Sequence, residues 1–369
     1  MIKITRPYLL AALVITPFLL IGGVAAMFAL SNPKRVLVVA RQPAKVTPVP
    51  SVSASPTATA KPTSRPLPAV KTAAIPAAKA PANPLSGNTL YVFPNNYARA
   101  ELAAEHDPQA AALIRKISER PTANWYGGWL PSVESAVRAD VAGAGPMQLP
   151  VLVMYNIPHR DCGQYSAGGA GTAASYRLWV DQFAAGLGGK SAIVIVEPDA
   201  LAQYECLTLS QRLERMALLR YAVTKLSANP KAFTYIDAGN AKWGSPAIVA
   251  RRLNDAGVAI ADGFSVNVSN YYSIADSLSY AKVLSQSNMG KHFVIDTSRN
   301  GNGPLSPEAW CNPAGRALGA PPSITEGVFG LDAYLWIKQP GTSDGTCNSG
   351  PSAGQWWRQN ALELAKNSK

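Results

Sequence analysis

Short apolar runs recur along residues 84–369, at Leu90–Pro94, Pro150–Pro158, Ser191–Pro198, Ala232–Ala238, Gly263–Tyr271, His292–Thr297 and Asp332–Lys338. They are rich in Val, Ile and Tyr and are nearly continuous rather than alternating. Such runs read as strands buried on both faces. Longer stretches with helical spacing separate most of them. One is Leu207–Ser227, where Leu213, Met216, Ala217, Leu219, Ala222 and Leu226 fall three or four residues apart. Strands alternating with helices predict an α/β fold with a parallel sheet covered by helices. About seven strands in one domain favour a closed or nearly closed (β/α) barrel, with a doubly wound open sheet as the alternative.

Upstream the pattern changes twice. Tyr8–Leu30 is apolar, follows Lys3 and Arg6, and is interrupted by Pro17 and two glycines. A run of this length can span a bilayer, while Ala25, Ala26 and Ala29 offer small residues for signal cleavage, so an anchor and a cleaved signal both stand. Either reading exports the rest of the chain. From Gln42 to Asn83 the sequence is Pro, Ala, Thr, Ser and Val with scattered lysines and no aromatic residue, which predicts a disordered, semi-extended linker. The expected domains are a signal or membrane segment at 1–31, a linker at 32–83 and a catalytic body at 84–369.

Charge follows the same division. The chain carries +12, but ten basic residues and no acidic one fall in residues 1–85, leaving +2 for the remainder. The basic excess therefore suits an arm against an anionic membrane or wall, and gives no case for nucleic acid. The four cysteines, Cys162, Cys206, Cys311 and Cys347, lie in the exported part, where structural disulfides are expected. Pairing within sequence neighbours, Cys162–Cys206 and Cys311–Cys347, closes the shortest loops. With no C-x-x-C spacing and three histidines in all, no metal site is expected.

Polar groups collect at the C-terminal ends of the predicted strands: Tyr155-Asn156 leading to Arg160-Asp161-Cys162, Glu197-Pro198-Asp199, Asp237-Ala238-Gly239-Asn240, Asn267 to Asn270, and Asp296 to Arg299. The last strand leads to Lys338 and Asp344. In a βα barrel these ends form one rim, where active sites are built. Trp125, Trp129, Trp243, Trp310 and Trp336 stand in or beside loops containing Gly, Asn or Asp. Carboxylates with indole walls and no phosphate loop suit a carbohydrate, whose C–H faces pack on rings while its hydroxyls need fixed polar partners.

Five motifs appear in one register: Tyr155-Asn156-Ile157-Pro158-His159-Arg160-Asp161-Cys162, Val196-Glu197-Pro198-Asp199-Ala200-Leu201, Asp237-Ala238-Gly239-Asn240-Ala241-Lys242-Trp243, Ser298-Arg299-Asn300-Gly301, and Trp336-Ile337-Lys338 through Ser343-Asp344-Gly345. Over Asn83 to Ser368 the chain resembles glycoside hydrolase family 6, inverting endoglucanases and cellobiohydrolases. The resemblance implies a distorted (β/α) barrel, β-1,4-glucan as substrate and no cofactor. It matches Asp199 to the general acid, Asp161 to the neighbour that raises its pKa and helps activate water, and Asp344 to the carboxylate usually proposed as base. Asp237, Tyr155, Ser166 in a mobile loop, Asn270 and Lys338 match substrate-binding positions, and Trp125, Trp243 and Trp310 match sugar platforms. Two residues depart from the family pattern: Thr342 where a glutamate is common, and Asn240 where a histidine is common. Both concern sugar contacts. Glu197 and Asp296 read as structural, and Trp179 and Trp336 as core.

The implied activity is an endo-β-1,4-glucanase, because the stretches from Asn300 to Gly345 and after Ser166 are short and argue for an open cleft. A tethered glucan-binding protein without hydrolysis, or a hydrolase of an envelope glucan, are the alternatives. The body is expected to act as a monomer.

Overall fold

The computed structural model describes residues 82–306, 309–326 and 329–369. The signal or membrane segment and nearly all of the predicted linker lie outside them. Asn83, read as the last linker residue, is already tied to the fold: its Nδ2 donates to the Thr325 and Asp332 carbonyls at 2.7 and 2.8 Å.

Within the strands, alternate side chains point to opposite layers. In β5 (Ala192–Val196), Ile193 and Ile195 face the barrel interior with Val151, Val153, Val294 and Leu335, while Val194 and Val196 face the helices with Leu152, Met154, Ile236 and Phe264. Both faces are covered, so the runs read as continuous apolar segments. The main sheet has eight strands in the order β2 (Asn124–Tyr126), β4 (Val151–Met154), β5, β6 (Ala232–Asp237), β7 (Gly263–Val266), β8 (His292–Asp296), β10 (Leu331–Leu335) and β9 (Ser323–Ile324). All neighbours are parallel except β9, which runs antiparallel to β10.

The sheet is curled, and its seam lies between β2 and β10. There the Ala123 N–H donates to the Trp336 carbonyl at 3.0 Å. The Trp125 indole N–H donates to the Ile337 carbonyl at 2.8 Å, and Gln339 Nε2 reaches the Ala123 carbonyl at 2.7 Å. These bonds join the two strands without a regular ladder, which makes the barrel distorted.

Six of the seven predicted strands fall on β4 to β8 and β10. The run at Leu90–Pro94 does not join this sheet. Instead β1 (Thr89–Leu90) pairs with β3 (Gln148–Leu149) as a separate two-stranded unit. The first barrel strand is β2, three residues long and too short to show a period.

Helices α1 (Tyr97–Ala104), α2 (Pro108–Ser118), α3 (Val133–Ala142), α4 (Ala173–Leu187), α5 (Leu209–Leu226), α6 (Pro246–Ala256), α7 (Ile274–Ser287) and α8 (Arg358–Asn367) cover the outside. The longest, α5, starts with a capping box: the Thr208 hydroxyl accepts from the Gln211 N–H while the Gln211 side chain accepts from the Thr208 N–H. Trp179 and Trp336 are buried, as expected of core residues. At the N-terminal end of the barrel, His292 Nδ1 pairs with Asp332 Oδ1 at 2.6 Å and the Tyr235 hydroxyl donates to Asp332 Oδ2.

Candidate active site

A cleft of about 1270 Å³ opens at the C-terminal ends of the strands. Its lining includes Trp125, Tyr155, Asp161, Ser166, Asp199, Trp243, Asn270, Trp310, Lys338 and Asp344. Ten of the eleven side chains singled out for catalysis or substrate binding therefore meet in one place. The eleventh, Asp237, does not line it.

Asp237 ends β6 at 1% exposure. Its Oδ2 accepts from the backbone N–H groups of Asp199 and Gly239 at 2.9 and 3.1 Å, and its Oδ1 from the Ser265 hydroxyl. It lies beneath Asp199 and fixes the backbone of that residue. Burial pushes its carboxyl up to about 6 despite those donors.

Asp199 follows β5 in a left-handed conformation at φ 69°, and Glu197 two residues earlier has φ 51°. Non-glycine residues take such backbone only where the surroundings hold them. Here the holding groups are Asp237 on one side and Glu197 on the other. Glu197 is buried and accepts from the Asn156 and Ile157 N–H groups and the Tyr176 hydroxyl. Burial raises its carboxyl to about 7. No hydrogen bond among the described residues ends on the Asp199 carboxyl oxygens. Burial, then the nearby charges of Asp237 and Asp161, push that carboxyl well above the ordinary range, with Lys338 opposing.

Asp161 comes from the turn after β4, also left-handed at φ 56°. The Ser166 N–H donates to its Oδ2 at 2.6 Å and Gln203 Nε2 to its Oδ1 at 2.7 Å. Arg160 does not pair with it. The guanidinium instead donates to the Tyr155, Ser166 and Ala167 carbonyls and sits over the rings of Tyr155 and Trp129 at 4.5 and 5.3 Å. Tyr155 also meets Trp125 edge to face, with centroids 5.0 Å apart. The Cys162–Cys206 disulfide joins this turn to the loop carrying Gln203.

Asp344 sits in a different environment. Arg299 Nη1 donates to both its oxygens at 3.0 and 2.9 Å, Lys338 Nζ stands 3.2 Å from Oδ1, and the Asn312 N–H donates to Oδ2 at 3.0 Å. The Tyr271 hydroxyl is 3.3 Å from Oδ2. Burial alone would raise the carboxyl, but Arg299 and Lys338 hold it below the usual range. The second disulfide, Cys311–Cys347, links the segments that carry Asn312 and Asp344. Each disulfide thus braces the loop of one site aspartate, and the pairing is the sequence-local one.

The Glycosyl hydrolases family 6 profile matches residues 85–368. The chain belongs to this family. Among family 6 proteins it is 48% identical over 262 residues to Endoglucanase A of Cellulomonas fimi, covering 70% of this chain and 57% of that one. It is 41% identical over 303 residues to Endoglucanase 1 of Streptomyces halstedii, covering 79% and 93%. Among solved structures, the endoglucanase Cel6 from Mycobacterium tuberculosis, bound to a thio-linked methyl-cellobiosyl cellobioside, superposes with a TM-score of 0.75 at 46% identity. That match covers 78% of this chain and 99% of the other.

Several residues that hold the site aspartates or line the cleft carry little sequence signal of their role. Arg299, which clamps Asp344, stood inside a recognised motif at a strand end, and that position was its signal. Gln203 and Asn312 gave none, because their partners are 42 and 32 residues away. Trp356 also lines the cleft, with its indole N–H on Glu101 Oε2 at 3.0 Å. The two departures from the family pattern, Asn240 and Thr342, both line the cleft. Thr342 turns its hydroxyl onto the Gln339 carbonyl.

Replacing Cys162 and Cys206 together by serine is expected to cost about 2–4 kcal/mol of unfolding free energy, measured by denaturant titration. Turnover should fall as well, because the Asp161 turn loses its covalent brace. Unchanged stability and rate would show that Ser166 and Gln203 hold the turn unaided.

Proposed function

We propose that the protein hydrolyses internal β-1,4 bonds of cellulose or a related glucan with inversion. The carrying observation is the contrast between two carboxyls of one cleft. Asp199 is pushed towards its protonated form and Asp344 is held ionised. Carboxyls driven apart in this way mark an acid and an ionised partner. Asp199 is assigned as the general acid that gives its proton to the departing glycosidic oxygen.

Water attacks from the opposite face in an inverting reaction. A carboxylate offers about four acceptor positions, and those of Asp344 are filled by Arg299, Lys338, the Asn312 N–H and Tyr271. Asp344 is therefore read as the fixed charge that places Lys338 and steadies the cation-like sugar. Asp161 and Ser166 are read as the groups beside the attacking water. Trp125, Trp243 and Trp310 are assigned as sugar platforms, with Tyr155, Asn270 and Lys338 as further contacts, while Asp237 supports Asp199 from below. The relatives named endoglucanase support the internal mode of cutting. The basic n-region and apolar run at the N-terminus support export, with the enzyme secreted or tethered to the membrane.

The test is to follow the anomeric configuration of the products from cello-oligosaccharides by NMR, and the viscosity of carboxymethyl-cellulose. An α-anomer appearing first, with a steep viscosity drop per bond cut, is the expected result. β-anomer product would overturn inversion. A folded protein that binds cello-oligosaccharide and cuts nothing would make it a binding protein.

A further inference from the structure

Sequence length suggested an open cleft, yet the turn after β4 touches two other rim loops across it. Tyr165, in the turn after β4, places its ring 6.1 Å from that of Trp310, which precedes the Asn312 that holds Asp344. The same ring lies on Gly345, where an added Cβ would run into the Tyr165 side chain. Gly345 also has φ 155°, at the limit of what a side chain tolerates, so no larger residue would leave the tyrosine its seat. Both Tyr165 and Trp310 line the cleft, and both keep surface in contact with solvent, at 48% and 41%.

The topology says what this contact spans. β4 and β10 flank β2 on the barrel wall, β4 through its ladder and β10 through the seam. The contact of Tyr165 with Gly345, between the loop after β4 and the loop after β10, therefore passes over the rim position of β2, where Trp125 forms a section of the cleft lining. The loop is pinned on both sides of the tyrosine. Before it stands the Cys162–Cys206 disulfide, and after it the Arg160 guanidinium holds the Ser166 and Ala167 carbonyls. Between these anchors lie Gly163, Gln164 and Tyr165, with Gln164 and Tyr165 exposed. Gly163 has φ 83° and open space where a Cβ would go, which suits a pivot.

We propose that Tyr165 is a latch residue that closes the cleft over a bound glucan by seating on Gly345 and Trp310. A polymer entering sideways, as internal cutting requires, has to lift this ring, and the chain is then held beneath it. The latch lets a short-looped enzyme keep hold of its substrate between cuts. This rests on the glucanase reading above.

The full chain as it stands, Tyr165→Ala and Tyr165→Phe are to be compared on amorphous cellulose and on cellotetraose. Tyr165→Ala is expected to lower the ratio of soluble to insoluble reducing ends about twofold. It should also raise KM for cellotetraose about five- to tenfold, with kcat changed less than twofold and an unshifted pH profile. Tyr165→Phe keeps the ring and should match the parent, since no hydrogen bond among the described residues uses the Tyr165 hydroxyl. An unchanged product ratio and KM in Tyr165→Ala, in a parent that hydrolyses both substrates, would sink the latch. So would a loss confined to kcat, which would mean that the ring merely supports the Asp161 turn. A parent that cuts neither substrate would instead overturn the glucanase reading itself.

Discussion

Replacing Asp199 by alanine is expected to lower turnover on carboxymethyl-cellulose about a thousandfold while leaving the fold intact, the range lost when a positioned proton donor goes. The fold should survive because the Asp199 carboxyl holds no hydrogen bond among the described residues. Its backbone N–H, which Asp237 grips, remains. The loss should depend on the leaving group. A cellobioside of an acidic phenol departs with little need of a proton, so its rate should fall far less than that of a sugar–sugar bond.

The pH profile carries the same signature. The acid must hold its proton to act, so activity is lost as pH rises through its pKa. Burial with Asp237 and Asp161 nearby has pushed that pKa well above the usual carboxyl range. The alkaline limb of kcat/KM should accordingly lie well above the ordinary aspartate range, and the alanine variant should lack it. An alanine variant with parental rates on both kinds of substrate would remove Asp199 from the mechanism.

The second large effect is expected at the buried pair of Arg299 and Asp344. Arg299 is 1% exposed, and Asp344 is its ionic partner. Asp344→Asn leaves the guanidinium buried without a counter-charge, and breaking such a pair from one side costs about 3–5 kcal/mol. Thermal unfolding should drop by roughly 10 °C, and activity should fall because Lys338 loses its anchor. Pairing Asp344→Asn with Arg299→Met should recover some of the stability without the activity, since the buried guanidinium is then gone and only the Lys338 ammonium is left without its partner. Additive losses in that double variant would mean that the two residues are not coupled. The wild-type pair also sets an acid limit. A carboxyl whose folded pKa is depressed contributes stability above its unfolded value, and loses that contribution as pH falls through the folded one. For Asp344 this loss is complete only below the ordinary carboxylate range.

How legible the molecule was depended on where each partner sits in the chain. β5 was plain because Ala192–Val196 is apolar on both faces and stops at Glu197-Pro198. β2 was hidden because Asn-Trp-Tyr has neither length nor period, and its place in the sheet comes from β4 and the Trp336 carbonyl. The run after Leu90 has strand-like composition, but its pairing with β3 lies outside the main sheet.

The site divides in a similar way. Asp161, Asp199 and Asp344 stood in recognisable local motifs at strand ends. The groups that set their character did not, because Gln203, Asn312 and Arg299 reach them across tens of residues. Asp237 was recognisable by type, but its height in the barrel was not: the first residue beyond β6 to line the cleft is Asn240, three positions on.

The seam between β2 and β10 gives the barrel the mechanics of a sprung ring with a clasp. Elsewhere around the wall, widening would shear a parallel ladder. At the seam, among the described residues, it would break a single main-chain bond and three side-chain bonds, one from Trp125 and two from Gln339. The aperture can therefore widen most readily at that point, between the side that carries Asp161 beyond β4 and the side that carries Asp344 beyond β10. A crowded or branched glucan would find its room on the Trp125 side.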